Sequence, residues 1–309
     1  KVDVKKSIKK IENALNDQWN LKDLTVEMAV VKEKASVSAD DLKGLTDVLG
    51  TYTTYVGDGD KRTNVEVGTE RLSGIILKSG EELAADETMG PYDAEHGYIL
   101  GNSYAGNEVE ETYGGGVCQV TTTLYNAALY AELDIVERHP HSMLVTYVEP
   151  SRDAAVATGA LEFRMKKNYK NPIYIEGKID EDDQLTFTIY GKETRDKGRS
   201  VEFESEILDT EEYDVTYEVD TEAALGSMEY SGSPSNGMSA QLWKVVYEDG
   251  EEVSRDVINT SEYRKSDQII KVGTACDNSA ASALVSSAVA SQDMDQITSA
   301  IAQAGAMLY

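Results

Sequence analysis

One cysteine, Cys118, follows three glycines in GGGVCQVTTTLYNAAL at 114–129, and two histidines, His139 and His141, come about twenty residues later in ERHPHS. The chain holds only three histidines and two cysteines. A thiol and its candidate bases are therefore concentrated in one segment, the arrangement a cysteine nucleophile needs. A neutral thiol is a poor nucleophile. The start of a helix favours the thiolate through free backbone donors, and a neighbouring imidazolium favours it further. The glycines at 114–116 let the chain turn tightly and leave room above the sulfur. The amides of Gly115 and Gly116 are candidate donors to a developing oxyanion, with Gln119 or Thr121 as a further donor.

His139 and His141 flank Pro140, and in an extended segment residues two apart point to one face. Both are candidate bases; His141 is preferred and His139 is its close rival. Asp153 is the candidate to orient the chosen imidazole, as the acid of a Cys-His-acid triad. Arg138 and Arg152 are candidates to hold a substrate carboxylate through paired donors. Tyr125 and Tyr147 are candidate pocket walls. Each residue also has a plainer reading: an inert buried thiol, loop-bracing histidines, a tight glycine turn, and structural ion pairs at Arg138, Arg152 and Asp153. His96, in DAEHGY, reads as a pocket-edge or surface residue. No metal is expected, because Cys118 and the histidines lack CxxC or HExxH spacing. GGG is not followed by GKS or GKT, so no phosphate-binding loop is expected, and no nucleotide or redox cofactor.

The elements that must position these residues read as α+β. Residues 1–20 carry Ile8, Ile11 and Leu15 at helical spacing; 24–34 reads as a strand, and SADDLKGL at 38–45 as a capped short helix. Within 50–200, strands are expected at 51–57, 143–148, 161–168, 172–179 and 185–191, with a strand, a Ser-Gly turn and a short element over 72–84. The clearest helix is 121–133, capped by Thr121 or Thr122, with a slim apolar face of Leu124, Ala127, Ala128, Ala131 and Leu133. Residues 201–274 read as a slender, extended β-module: alternation at 213–219 and 242–250 marks strands, and SGSPSNG at 231–237 a loop. Between 201 and 273 there are 18 acidic against 5 basic residues. The Ala/Ser-rich tail, 275–309, reads as two weakly amphipathic helices or a flexible segment.

The whole chain carries a formal charge of −27, from 29 Lys+Arg against 56 Asp+Glu. That disfavours nonspecific binding to nucleic acid or anionic lipid. No apolar run reaches transmembrane length. The opening KVDVKKSIKK, without signal peptide or initiator methionine, reads as a truncated or processed chain.

ILKSGEELAADETMGP at 76–91, GGGVCQVTTTLYNAALYAELDIVERHPHS at 114–142, YVEPSRDAAV at 147–156 and NPIYIEG at 171–177 together resemble the VanW domain family, over roughly 50–192. The family name comes from gene clusters linked to vancomycin resistance and states no reaction. Residues 201–273, ending IIKVG, resemble a G5 domain, with Gly226, Gly232, Gly237, Gly250 and Gly273 as its loose glycine pattern. Residues 1–48 resemble the last part of a peptidoglycan-binding module found before VanW domains. The resemblances divide the chain into 1–49, 50–200, 201–274 and 275–309. They imply a Gram-positive cell envelope or cell wall, outside the cell, with peptidoglycan stem peptides and glycan as partners. Some VanW proteins are similar to L,D-transpeptidases that use this domain as the catalytic unit, with the family cysteine at Cys118. The implied reaction is a 3-3 cross-link formed through a thioester, with L,D-carboxypeptidase activity if water replaces the acceptor. The alternatives are a noncatalytic wall-binding or scaffold protein and a cysteine-dependent peptidoglycan peptidase or amidase.

Overall fold

A computed structural model of the chain describes residues 2–20, 22–31, 42–57, 59, 61–105 and 108–308. It divides into two compact units, Lys1–Lys43 and Gly44–Tyr309. In the first, helix α1 (Val4–Gln18) starts at Asp3, whose carboxylate accepts the Lys6 amide at 2.9 Å. The strand expected over 24–34 is absent among its described residues. A single bridge joins Val2 to Val30. The Ala29 amide donates to Ser7 Oγ and its carbonyl accepts the Asp3 amide. Those backbone groups are satisfied by the helix start instead of a second strand. Residues 38–41, the first half of SADDLKGL, lie outside the described residues.

The second unit begins with β1 (Asp47–Tyr55), α2 (Lys61–Leu72), β2 (Ile75–Leu77), β3 (Glu82–Ala84), α3 (Ala85–Met89), β4 (Leu100–Ala105) and β5 (Glu108–Tyr113). It continues through α4 (Cys118–Tyr130), β6 (Asp134–Glu137), β7 (Arg164–Lys166), β8 (Ile173–Ile179) and β9 (Gln184–Gly191). An antiparallel sheet of order β1-β9-β8-β2 forms the floor, with a smaller sheet, β3-β7-β6, and the β4-β5 hairpin beside it. Leu185, Phe187 and Ile189 bury one face of β9 at a period of two, as do Ile173 and Ile175 of β8. Against them pack Val120, Leu124, Ala127 and Ala128 of α4. The approach is close: a Cβ on Gly50 would stand 2.3 Å from the Ala131 amide nitrogen.

Helix α4 starts at Cys118, not at 121, and no side chain caps it. It is buried on every face from Gln119 to Leu129, so the slim apolar face expected for it is replaced by all-round burial. Its polar residues survive there because each finds a partner. Thr123 Oγ1 donates to Gln119 O and meets Thr54 Oγ1 at 2.8 Å; Asn126 Nδ2 donates to Arg152 O at 2.7 Å. Thr121 and Thr122 lie inside the helix and bond the Ala154 backbone, so neither caps the helix start. The strand expected at 143–148 is irregular chain. Its neighbourhood is held by single bonds, among them the Ala155 amide to His139 O at 2.8 Å.

The β-rich part follows: β10 (Arg199–Glu211), β11 (Val215–Ala224), β12 (Met228–Ser231), β13 (Gly237–Glu248), β14 (Glu251–Tyr263) and β15 (Gln268–Ala275). Strands β10-β13-β14 form one antiparallel sheet. In the other, β15 pairs parallel to β11 and antiparallel to β12. The chain is thus a mixed α/β region followed by a β-rich module. The two share a core, because Phe203 of β10 and Leu242 of β13 pack into the same buried cluster as α4 and the first sheet. The tail forms α5 (Ser279–Val289) and α6 (Met294–Ala306), whose Val285, Val289 and Ile297 bury Ile270 and Val272 of β15. Asn278 and Asp293 cap the two helices, which adds to that packing in ordering the Ala/Ser-rich segment.

Candidate active site

Cys118 stands at the first residue of α4, half-buried, behind a turn in which Gly114 (φ 83°) and Gly116 (φ 102°) adopt left-handed conformations that favour glycine. Gly115 is required for another reason: a Cβ there would fall 2.3 Å from the Gly101 carbonyl. The Gly115 amide donates to Thr112 O, so it is not an oxyanion donor. The amides of Gly116 and Cys118 donate to no acceptor among the described residues. The first amides of a helix have no intrahelical acceptor and are available to an anion.

His141 and Asp153 both come from the irregular segment that crosses the N-terminal half of α4. Asp153 is fully buried and takes four donors. Oδ1 accepts Arg138 Nη2 at 2.8 Å and the Tyr263 hydroxyl at 2.6 Å. Oδ2 accepts the His141 amide and His141 Nδ1, each at 2.7 Å. With Nδ1 engaged, Nε2 is the remaining ring nitrogen; Cys118 Sγ donates to Val156 O at 3.4 Å. The Val156 amide approaches Sγ at 3.5 Å. The ring of Tyr147 stands edge-on to the imidazole, 6.5 Å between centroids.

The electrostatics follow from this order. Burial pushes the Asp153 carboxyl up, but the His141 hydrogen bond, the His141 and Arg138 charges and the Tyr263 hydroxyl outweigh it and hold the group at about 2. Burial pulls His141 down, yet its bonds to Asp153 and Cys118 raise it to about 9. Burial pushes the Cys118 thiol up; the hydrogen bond and charge of His141, with the Val156 amide, bring it below the ordinary thiol value. The arrangement favours a charge-separated Cys118–His141 pair backed by a buried carboxylate, the direction in which a thiol gains nucleophilic character. Asp86 opposes the thiolate with its charge and accepts the Tyr92 hydroxyl at 2.8 Å.

Other candidates are placed elsewhere. His139 Nε2 pairs with Glu137 at 3.0 Å on a partly exposed face, apart from the Asp153 carboxylate. Arg138 is not open to a substrate carboxylate: it is buried and donates to Asp153 Oδ1, Asp153 O and Ser261 Oγ. Arg152 is also closed, bonded to Asn126 Oδ1, Phe203 O and the Tyr130 hydroxyl. Gln119 turns inward to Thr54 Oγ1 and Tyr55 O, and Thr121 to Cys118 O and Ala154 O, so neither is a pocket donor. Tyr125 is a core residue whose hydroxyl accepts Asn259 Nδ2 at 2.7 Å. It lines a cavity of about 690 Å³ with Glu132, Arg138, Lys244 and Asn259, in whose wall Cys118 takes no part. Both cysteines are free thiols, and Cys276 lies near the tail with Sγ 3.2 Å from Asn278 O. Sequence reasoning missed Tyr263, Ser261, Asp86 and Tyr92. Tyr263 lies 110 residues from Asp153 and belongs to an ordinary-looking strand, so only the fold reveals it.

Residues 60–190 match the family model described as VanW like protein, and residues 204–275 match that of the G5 domain. A protein of Bacillus subtilis (strain 168) named Uncharacterized protein YoaR is 34% identical over 135 residues, which are 43% of this chain and 45% of that protein. Vancomycin B-type resistance protein VanW of Enterococcus faecalis (strain ATCC 700802 / V583) is 24% identical over 115 residues, 35% of this chain and 42% of that protein. The matched stretch spans less than half the length of either relative. A solved IgA1 protease G5 domain is 19% identical, covering 25% of this chain and 94% of its own, with a TM-score of 0.20. Among the described residues no helix is long and apolar enough to cross a membrane.

Proposed function

For a VanW-domain-containing chain with a following G5 domain, we propose that Cys118 is the nucleophile of an L,D-transpeptidase acting on peptidoglycan stem peptides at the cell wall. The observation that carries this is the His141–Asp153 pair, Nδ1 to Oδ2 at 2.7 Å with the carboxylate fully buried, on the segment whose Val156 backbone meets Cys118 Sγ at 3.4 and 3.5 Å. The Gram-positive relatives and the vancomycin-resistance name of one of them support the envelope setting.

The donor stem ends in a diamino acid followed by D-Ala. Cys118 Sγ attacks the carbonyl at the L-centre of the diamino acid, and negative charge develops on the carbonyl oxygen. The Gly116 and Cys118 amides, which bond no acceptor among the described residues, serve as the donors to that charge. His141 Nε2–H protonates the amide nitrogen as its C–N bond breaks, so D-Ala leaves as a neutral amine and a thioester remains. The side-chain amine of an acceptor stem then attacks the thioester carbonyl. His141 takes the proton that the amine loses, the C–S bond breaks and the thiolate returns. One amide is broken and one made, with no oxidant or external energy source. Asp153 holds the ring and stabilises the imidazolium without itself taking the proton.

The test is mass spectrometry of a defined disaccharide-tetrapeptide incubated with the protein and with Cys118→Ala. Cross-linked dimer plus released D-Ala, absent from the variant, is the expected outcome. Tripeptide alone would move the assignment to L,D-carboxypeptidation. An unchanged substrate with folded protein, across several stem compositions, would leave a wall-binding or scaffold role.

A further inference from the structure

We propose that the active site is shared between the two modules: Tyr263, at the end of β14, is a positioning residue that fixes Asp153 and, through it, His141 and the Cys118 thiolate. This rests on Cys118 being the nucleophile proposed above.

Strand β14 is exposed along most of its length, and its only buried positions are Ser261 and Tyr263. Residues two apart on a strand share a face, and this face meets the segment that carries the acid and the base. The Tyr263 hydroxyl accepts the Ser151 amide at 2.7 Å and donates to Asp153 Oδ1 at 2.6 Å. Its direction is forced, because an amide can only donate; the phenolic proton therefore faces the carboxylate. Burial and the Asp153 charge both raise the Tyr263 pKa, which keeps that proton in place. Ser261 Oγ lies 2.9 Å from Arg138 Nη1 and 2.9 Å from Ser151 Oγ. The Arg264 amide, one residue past the strand, donates to Ser142 O at 2.7 Å. The strand end thus grips the segment at Arg138, Ser142 and Ser151, and Asp153 directly.

The segment needs that grip. It is irregular between His139 and Asp153, so no ladder fixes its shape. Ser151, two residues before Asp153, is fully buried with φ 64°, a left-handed conformation that is costly for a non-glycine residue and persists only where its surroundings over-determine it. Both its amide and its hydroxyl are held by β14. With Oδ1 pinned by Tyr263 and Arg138, the carboxylate turns Oδ2 to both His141 donors. Without the Tyr263 hydroxyl the carboxylate gains rotational freedom, and the imidazolium loses its fixed counter-charge.

The experiment uses the full chain and three variants: Tyr263→Phe, Ser261→Ala, and Tyr230→Phe, an exposed tyrosine of β12 in the same module. The rate of Cys118 alkylation by iodoacetamide is followed against pH by peptide-resolved mass spectrometry, which separates it from Cys276, and each melting temperature is recorded. In the wild type the thiolate forms below the ordinary thiol range. Tyr263→Phe is expected to move the midpoint up by about one pH unit, Ser261→Ala less far in the same direction, and Tyr230→Phe not at all. With a tetrapeptide donor, Tyr263→Phe lowers kcat by roughly tenfold and leaves KM unchanged. Folded Tyr263→Phe and Ser261→Ala proteins that titrate like the wild type would overturn the inference; if Tyr263→Phe does not fold, Ser261→Ala decides. A wild-type Cys118 that titrates as an ordinary thiol would overturn the nucleophile assignment and this inference with it.

Discussion

His141 presents two donors to one oxygen: its amide and its Nδ1 each lie 2.7 Å from Oδ2 of Asp153. The amide bond fixes the backbone and the Nδ1 bond fixes the ring and its tautomer. Nδ1 keeps its proton, and in the proposed reaction Nε2 exchanges one with the Cys118 sulfur. Asp153→Asn removes the charge that raises His141 while keeping the shape. The expected loss in kcat is about 10³–10⁴-fold with little change in KM. Buried Arg138 also loses its counter-ion, which should lower stability by about 3–5 kcal/mol. Release of D-Ala and denaturant unfolding check the two parts separately.

His141→Ala removes the group that lowers the Cys118 thiol and leaves the burial that raises it. The pH at which Cys118 becomes alkylatable should then rise to or beyond the ordinary thiol value of 9.0. His139→Ala should leave it where it is, because that ring pairs with Glu137. Peptide-resolved alkylation rates across pH distinguish the two histidines.

Stability should depend on pH in a way that identifies the pair. His141, raised from 6.5 to about 9, contributes stability that is complete below 6.5 and lost as pH rises through about 9. Cys118, lowered from 9.0, contributes stability that is complete above 9.0 and lost as pH falls through its folded value. Above the folded Cys118 value and below 9.0 the folded pair holds its one proton on His141 and the unfolded pair holds one on Cys118, so the two slopes oppose each other. Unfolding free energy is expected to fall less with pH over that range in the wild type than His141 alone would make it. In Cys118→Ala, where Asp153 still raises His141, it should fall as pH rises above 6.5. Asp153, lowered from 3.8 to about 2, adds stability present above 3.8 that is lost as pH falls toward 2. Urea titrations at several pH values measure all three.

Gly115→Ala places a methyl group 2.3 Å from the Gly101 backbone, where no flexible side chain can yield. The β4-β5 hairpin and the turn before Cys118 must then separate. A loss of about 1–3 kcal/mol or more is expected, with slower Cys118 alkylation. Gly44→Ala, with nothing within 4 Å of its added Cβ, should melt like the wild type.

The local parts of this site were legible in the sequence because they depend on neighbours in the chain. Three glycines before a cysteine mark a tight turn into a helix, and HPH shortly after it places imidazoles on the next segment. The alternation in 185–191 reflects a strand with one buried face, as Leu185, Phe187 and Ile189 show, whereas in 242–248 bulges put Leu242, Val245 and Val246 off that period. Burial of polar groups was not legible. Arg138 and Arg152 look like surface cations until their partners appear from 15, 26 and 51 positions away. Thr121 and Thr122 look like caps because nothing local says that Ala154 will meet them inside the core. Helix α2 was missed for the same reason: KRTNVEVGTERL is polar, and Asn64 is buried only because Ile99 and Gly115 accept its amide protons. Tyr263 is the extreme case, set beside Asp153 by the path of a whole module.

The measurement that bears most directly on the central claim is the intact mass of the protein during reaction with a tetrapeptide donor and no acceptor. The account predicts an adduct equal to the donor less D-Ala, located on Cys118, labile to hydroxylamine and absent from Cys118→Ala. D-Ala released without such an adduct, and equally by the Cys118→Ala protein, would contradict it.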